Sequence, residues 1–487
     1  MNKRSLVLVG LVAAALPMMA QEQIRSSESG GWGPAPVAGD NLFDGYFRTG
    51  VGVASAGGEM VSFDLGRNGH YRLGNEADTY GELGWDKKVY DKDGSAFYVH
   101  TMLNWWSPFT KGNSTATSPS VALEQAWVEG KGVLGNSDAF KDSDVWIGER
   151  FYNRQDVHML DWKYLHTDGT GGGVENINLG FGKLAYAYMQ TDTPAAGLPA
   201  GAPASASAAG GRDVLALHQL KLDDISVNPG GKLYFAFEVD TASPYKGTLP
   251  ASATSYAYNT TGGAPTITAA YAGGSAVSDS RNDKGGWSII AMHSQEVLGG
   301  ANHFVLQYAV GSAEGLGNGD QFGRTLSSLG SGNKATRVID EIAIQPTKNI
   351  GAELVAAYEK NKLDNGAGST ANGSWLTFGG RGKFGITDHF SFVAEVGWEK
   401  TTLDTNAYTT SLAVPLGDRT LVKETAALVW SPSTEFWSRP ELRVFFTNAS
   451  WNNNAKGNVG TVDGNTTGVF ADKTSGSQYG VQTEVWF

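Results

Sequence analysis

The 487-residue chain predicts an all-β fold, a transmembrane antiparallel β-barrel, on three observations. Segments of about ten residues alternate apolar and polar side chains along nearly the whole length. Glycine and aromatic residues are abundant, with 65 Gly, 14 Trp, 18 Tyr and 21 Phe. After the N-terminal segment, no apolar stretch reaches the roughly 20 residues that a membrane helix needs. Barrel strands hide their lipid face from a hydropathy window, because every second residue faces inward.

The chain opens with Lys3 and Arg4, an apolar run over residues 6–16, then Pro17-Met18-Met19-Ala20. A basic start, a short apolar run and a small boundary residue describe a secretory signal peptide over residues 1–20. Residues 21–40 carry Gly, Pro and Ser without periodicity and read as a flexible leader, leaving residues 41–487 for one barrel. Loss of Lys3 and Arg4 takes the basic side chains from 37 to 35 against 49 acidic ones, a charge of −14, and no nucleic-acid partner is expected. The chain has no cysteine, so a disulfide framework is impossible although the compartment would permit one.

Side chains on a strand switch faces at every step, so parity tests each element in turn. Over residues 46–53, Tyr46, Arg48, Gly50 and Gly52 share one face, opposite Phe47, Thr49, Val51 and Val53. Residues 70–88 read as one strand with Arg72, Glu76, Asp78, Tyr80, Glu82 and Asp86 on the polar face and Tyr71, Leu73, Leu83 and Trp85 opposite. Phe304, Leu306, Tyr308 and Val310 oppose His303 and Gln307, and Phe390, Phe392, Val396 and Trp398 oppose Glu395 and Glu399. At the end, Tyr479, Val481, Thr483, Val485 and Phe487 oppose Gln482, Glu484 and Trp486. A soluble β-sandwich shows the same alternation. The barrel is favoured because strands follow one another without a domain-scale break. Connections also alternate between tight turns, such as Asn228-Pro229-Gly230-Gly231, and long polar stretches, and the chain closes on Phe487. Residues 194–211 are low-complexity and residues 243–283 are rich in Thr, Ser, Ala and Gly; both read as loops.

Enzymatic chemistry finds little support. Eight His are scattered, and no HExxH, P-loop or GxSxG pattern occurs, so neither an enzyme nor a cofactor is expected. Asp156, His158 and Asp161 make a poor metal site, with no Cys or second His nearby. The densest chemistry lies in residues 148–164, GERFYNRQDVHMLDWKY. There Glu149, Arg150, Arg154, Asp156, His158, Asp161 and Lys163 crowd among Phe151, Tyr152, Trp162 and Tyr164. Both an ordinary surface loop and a confined site for a polar ligand have this composition. Aromatic residues also recur on the polar face: Tyr46 with Arg48, Tyr80 with Glu82, Trp437 with Arg439, Glu441 and Arg443, and Trp486 with Glu484. One such ring would be a girdle or core residue. Several beside charges suit a sugar, whose C–H faces stack on rings while its hydroxyls bond to Arg and carboxylates. Transport further asks for repeated weak sites, so that the ligand can leave.

Ordered segments then carry a resemblance: FDGYFRTGVG at 43–52, YRLGNEADTYGEL at 71–83, GERFYNRQDVHMLDW at 148–162, ENINLGFGKL at 175–184, NPGGKL at 228–233, FWSRPELRVF at 436–445 and the terminal EVWF. The chain resembles the maltoporins, sugar-specific trimeric porins of the Gram-negative outer membrane, from residue 43 to the end, with divergent long loops. The resemblance implies an 18-stranded antiparallel barrel, a homotrimer and an inward-folded third loop that constricts each pore. Carried over residue by residue, the family's aromatic slide falls on Tyr46, Tyr80, Trp437 and Trp486. Its polar track falls on Arg48, Arg72, Glu82, Arg154, Asp156 and Asp161, and a constriction Tyr falls on Lys163.

Departures accompany the match. Ala301 stands where the family has another slide aromatic, Glu124 where it has a track Arg, and Ser62 and Ala77 where some members have a disulfide. The slide's entrance aromatic, lent by a neighbouring subunit, has Trp106 and Phe109 as candidates. Lys163 and Glu124 together read as a charge swap that preserves a local pair. The implied function is facilitated diffusion of maltose and linear maltodextrins across the outer membrane, with phage or other surface ligands as candidates at the external loops. The alternative is a related porin for another sugar or an anionic solute.

Overall fold

A computed structural model describes residues 41–487 apart from 66–68, 109–119, 195–211, 316–331, 365–369, 404–416, 461–467 and parts of 244–284. The signal-peptide and leader assignments at 1–20 and 21–40 lie outside the described residues, as do Phe109 and nearly all of the low-complexity stretch.

Strand follows strand around one closed antiparallel sheet of 18 strands. In chain order the barrel strands are β1 (Asn41–Ala54), β2 (Asp78–Lys92), β3 (Ser95–Pro108), β4 (Ser120–Lys131), β5 (Asp144–Arg150), β6 (Gly169–Asn178), β7 (Lys183–Pro194), β8 (Arg212–Asn228) and β9 (Gly231–Ser243). There follow β10 (Gly286–Val297), β11 (Gly300–Gly311), β12 (Lys334–Thr347), β13 (Ile350–Asp364), β14 (Thr370–Gly385), β15 (Phe390–Leu403), β16 (Gly417–Trp430), β17 (Glu441–Trp451) and β18 (Ser475–Trp486). The first strand pairs with β2 on one side and with β18 on the other, Tyr46 opposite Trp486, so no edge is left unpaired.

Period-two patterning decides which surface meets lipid. Leu83, Trp85, Leu103, Ile147, Leu306, Phe378, Val396, Val444, Phe446 and Val481 are exposed on the outside, whereas Gln307, Arg337, Glu353, Arg381, Glu395, Lys423, Arg443 and Glu484 are buried within. An exposed apolar belt of this extent is a lipid-facing surface. Trp398 belongs to it, stacked on Phe378 with centroids 4.8 Å apart. Tight turns gather at one rim, for example Pro229-Gly230 between β8 and β9, where Gly230 takes φ 73°. Long connections gather at the other rim; in outer-membrane barrels the short turns face the periplasm.

Two segments from the long-loop rim fold into the lumen. The first corrects the reading of residues 70–88 as one strand: β2 begins at Asp78, and residues 69–77 run inside the barrel. Tyr71 and Leu73, each 1% exposed, therefore face the interior and not lipid. The cause is local. Gly74 adopts φ 64°, Asn75 bonds both ways to the Phe63 backbone at 2.7 and 3.1 Å, and strand parity does not hold through such a turn. The Tyr71 ring fills a slot over Gly379 and Gly397, where an added Cβ would lie 2.5 and 2.1 Å from it. With no cysteine in the chain, this loop is tied by Asn75 bonding to Phe63 and by Ser62 bonding to Asp64.

The second segment, residues 151–168, is a small hairpin of Gln155–Val157 with Trp162–Leu165, closed by a 3-10 turn over His158–Leu160. Val157, Met159, Leu160, Trp162 and Tyr164 pack with Val305, Ile339, Val355 and Trp375 of the wall into a core inside the lumen. Burying each such side chain stabilises the loop by about 1.5–3 kcal/mol. Polar bonds then set its height: the Tyr164 carbonyl accepts from Arg337 and Gln307, both at 2.9 Å, and the Met159 N–H donates to Glu353 at 3.0 Å.

Candidate pore constriction and aromatic path

Arg48 of β1 points at the hairpin. Its Nη1 lies 2.8 Å from Asp161 and 3.1 Å from Glu76, and its Nη2 lies 3.2 Å from Asp78. Behind it Arg72 bonds to Glu76 at 2.8 Å and to the Tyr46 hydroxyl at 2.6 Å, and pairs with Glu484 at 3.1 Å. Burial pushes the Asp161 carboxyl up, but the Arg48 and Arg72 guanidiniums outweigh it and hold the group well below the usual carboxylate range. His70, Glu76 and Asp161 place ligand atoms within 4.8 Å of one another, yet the Arg48 guanidinium already bridges the two carboxylates, so this donor set does not fit a metal.

Arg154 is sequestered. Its Nε lies 3.1 and 2.9 Å from the two Asp168 oxygens, and its guanidinium lies 3.0 Å from the centre of the Phe151 ring. Arg72, Glu82 and Arg154 are all buried, whereas Arg48, Asp156, Asp161 and Lys163 stay partly exposed. The expected Lys163–Glu124 pair is not formed: Glu124 accepts from Asn104 at 2.9 Å, and no ion pair joins it to Lys163 among the described residues. The strand bulge between Met102 and Leu103, which shifts the register beside Glu124, has no signature in the sequence.

Asp156 sits across the hairpin from Lys163 with one carboxylate oxygen buried and unbonded. Burial, and then Glu341, push its pKa well above the ordinary value. A raised carboxyl binds its proton more tightly in the folded state, so its stabilising share is complete at low pH and lost as pH rises. Asp156→Asn should therefore raise the heat-denaturation midpoint at pH 8 and leave it unchanged below about pH 4. Equal midpoints for both proteins at pH 8 would contradict this.

The four aromatic residues that the resemblance assigns to a slide lie next to one another. Tyr46 and Tyr80 have centroids 6.1 Å apart, Trp437 and Trp486 6.4 Å, and Tyr46 stands opposite Trp486 across the β1–β18 pair. Two details differ from the parity reading. Trp437 lies in the turn between β16 and β17, so it shares no strand with Arg439; the chain bends it inward there. Tyr46 is only 3% exposed, covered by its bonds to Arg72 and Glu484, while Tyr80, Trp437 and Trp486 remain partly open. Trp106 extends the row outward: it faces Tyr80 across β2–β3, is 42% exposed and donates its indole N–H to Asp78 at 3.2 Å. Sequence reasoning missed the organising carboxylates. Glu484 receives the Tyr46 hydroxyl at 3.3 Å, Arg72 at 3.1 Å, His158 at 3.2 Å and Arg439 at 2.9 Å. Parity had placed Glu484 beside Trp486, but no local pattern tells a hub from any other inward carboxylate.

A closed barrel with an apolar outer belt, a charged interior and a hairpin anchored across its lumen defines an outer-membrane channel. The sequence profile of the LamB porin family matches residues 42–487, and the chain belongs to that family. It is a porin, a multi-pass β-barrel of the outer membrane. Solved structures similar to it include Pseudomonas aeruginosa OccK8 (OprE), 10% identical over 93% of this chain and 99% of that one, with a TM-score of 0.43. Others are the trimer form of Vibrio cholerae OmpT, 9% identical over 93% and 100% at a TM-score of 0.38, and the Acinetobacter baumannii outer-membrane channel DcaP, 10% identical over 92% and 97% at 0.38.

Proposed function

We propose that this porin conducts maltose and linear maltodextrins by facilitated diffusion, as a homotrimer. The observation that carries the reading is the strip of rings from Trp106 through Tyr80, Tyr46 and Trp486 to Trp437, running from the long-loop rim to the tight-turn rim. Sugar faces stack on the partly exposed rings, and hydroxyls exchange along Arg48, Asp156, Asp161 and Lys163. Behind that track Arg72 pairs with Glu76, which also holds Arg48, while Glu82 accepts from the Tyr80 hydroxyl and Arg154 fixes the root of the hairpin through Asp168. Transport needs no catalytic residue and no cofactor. Linear maltodextrins should block single-channel current in planar bilayers at millimolar concentrations or below; current untouched by every maltodextrin but blocked by sucrose or by anionic sugars would overturn the reading.

Lys163 favours the second reading, a porin for an anionic solute, because its ammonium has no ion pair among the described residues and lies 6.0 Å from the Phe151 ring. Under the maltodextrin reading, Lys163→Tyr should strengthen the block and raise the cation-to-anion permeability ratio, since a ring replaces a charge. An unchanged block would put Lys163 off the sugar path.

A further inference from the structure

The two indoles at the tight-turn end of the ring strip rest on a single imidazole. His158 is 2% exposed and meets Trp437 at 5.2 Å and 79°, and Trp486 at 5.8 Å and 89°, both edge-to-face. Its Nε2 lies 3.2 Å from Oε1 of Glu484. The other oxygen of that carboxylate accepts from Arg439 at 2.9 Å, and the Arg439 guanidinium lies 4.1 Å over the Trp486 ring. The next residue of the hairpin, Met159, is bonded to the β13 part of the wall through Glu353 at 3.0 Å. The imidazole is thus held directly by a β18 carboxylate, and the hairpin backbone that carries it is held by a bond to β13. Edge-to-face contacts favour one mutual orientation, so the imidazole biases the tilt of both indoles.

We infer that His158 is a positioning residue: it sets the tilt of Trp437 and Trp486 and so couples the height of the constriction hairpin to the stacking sites beyond it. The stacking role of those rings rests on the maltodextrin reading; the mechanical link rests on the contacts alone. A side chain that merely filled space beneath the hairpin would, when removed, let the hairpin move and change the bore. A positioning residue changes how long a sugar stays while the bore is kept.

The test records single-channel current with maltohexaose and extracts on- and off-rates from the blocking noise. His158→Ala should raise the off-rate about tenfold with the on-rate and the sugar-free conductance unchanged. His158→Phe, which keeps an edge-to-face ring but loses the bond to Glu484, should recover most of the residence time. Wild-type residence in both variants overturns the inference, as does a sugar-free conductance that changes in proportion to the residence time. A second readout does not depend on sugar. In protein carrying 5-fluorotryptophan, with the Trp437 and Trp486 resonances assigned through their Phe variants, His158→Ala should shift both fluorine signals; two unmoved signals overturn the positioning role. A wild-type channel that no maltodextrin blocks would instead defeat the proposed substrate, leaving the fluorine shifts to decide the link.

Discussion

Replacing Arg154 with Met should strip the constriction hairpin of about 3–5 kcal/mol, because removing one member of a buried pair leaves the other charge uncompensated. Asp168 would keep only the Tyr152 N–H at 3.2 Å and the His166 ring at 3.2 Å, while losing a two-nitrogen contact to the guanidinium. Burial pushes the Asp168 carboxyl up, yet Arg154 and His166 hold it well below the usual range. A depressed carboxyl contributes stability that is present above its unfolded pKa and lost as pH falls through the folded value. The deficit of Arg154→Met should therefore be full at neutral to alkaline pH and shrink as pH falls, first as the unpaired, buried Asp168 takes up a proton and then, below about pH 4, as the wild-type pair loses its own share. Heat denaturation in detergent across that range checks the sign. The double variant with Asp168→Asn should recover most of the midpoint; a double variant as unstable as the single one would mean that ring packing on Phe151, and not charge, holds the hairpin root.

Trp486→Ala and Trp437→Ala should each weaken block by long maltodextrins about tenfold, the scale of losing one stacking surface with its area burial. Both indoles are partly exposed toward the lumen, and Trp486 is braced by Arg439 at 4.1 Å. Trp398→Ala supplies the control, since that ring stacks on Phe378 on the lipid face. Tyr46→Ala is a poor probe of stacking despite its place in the row, because its hydroxyl holds Arg72 and Glu484 and its ring is covered. Equal losses at Trp398 and Trp486 would remove the case for a stacking path.

The barrel was legible because its signal is local. Phe304 with Leu306 outside and Gln307 inside, or Val481 outside and Gln482 inside, needs only neighbouring residues and the two-residue period of a strand. The constriction was legible in its chemistry but not in its wiring. Arg154, Asp156, Asp161 and Lys163 announce a charged hairpin, yet which of them reaches solvent depends on Asp168 and on the wall residues beneath. Trp437 drew notice by a parity that does not apply on its turn, and Arg72 by a strand that begins six residues later.

By itself, then, the sequence determined an alternating membrane barrel, the rings and charges on its inner face, and the identity of residues 148–164 as the place where ionisable groups concentrate. Tertiary structure alone decided that Glu484 joins Tyr46, Arg72, His158 and Arg439, that Arg48 spans Glu76, Asp78 and Asp161, and that Arg154 is spent on Asp168. The reason is range. Alternation is set between adjacent residues, whereas the Tyr46–Glu484 bond spans 438 positions and exists only because β18 closes on β1.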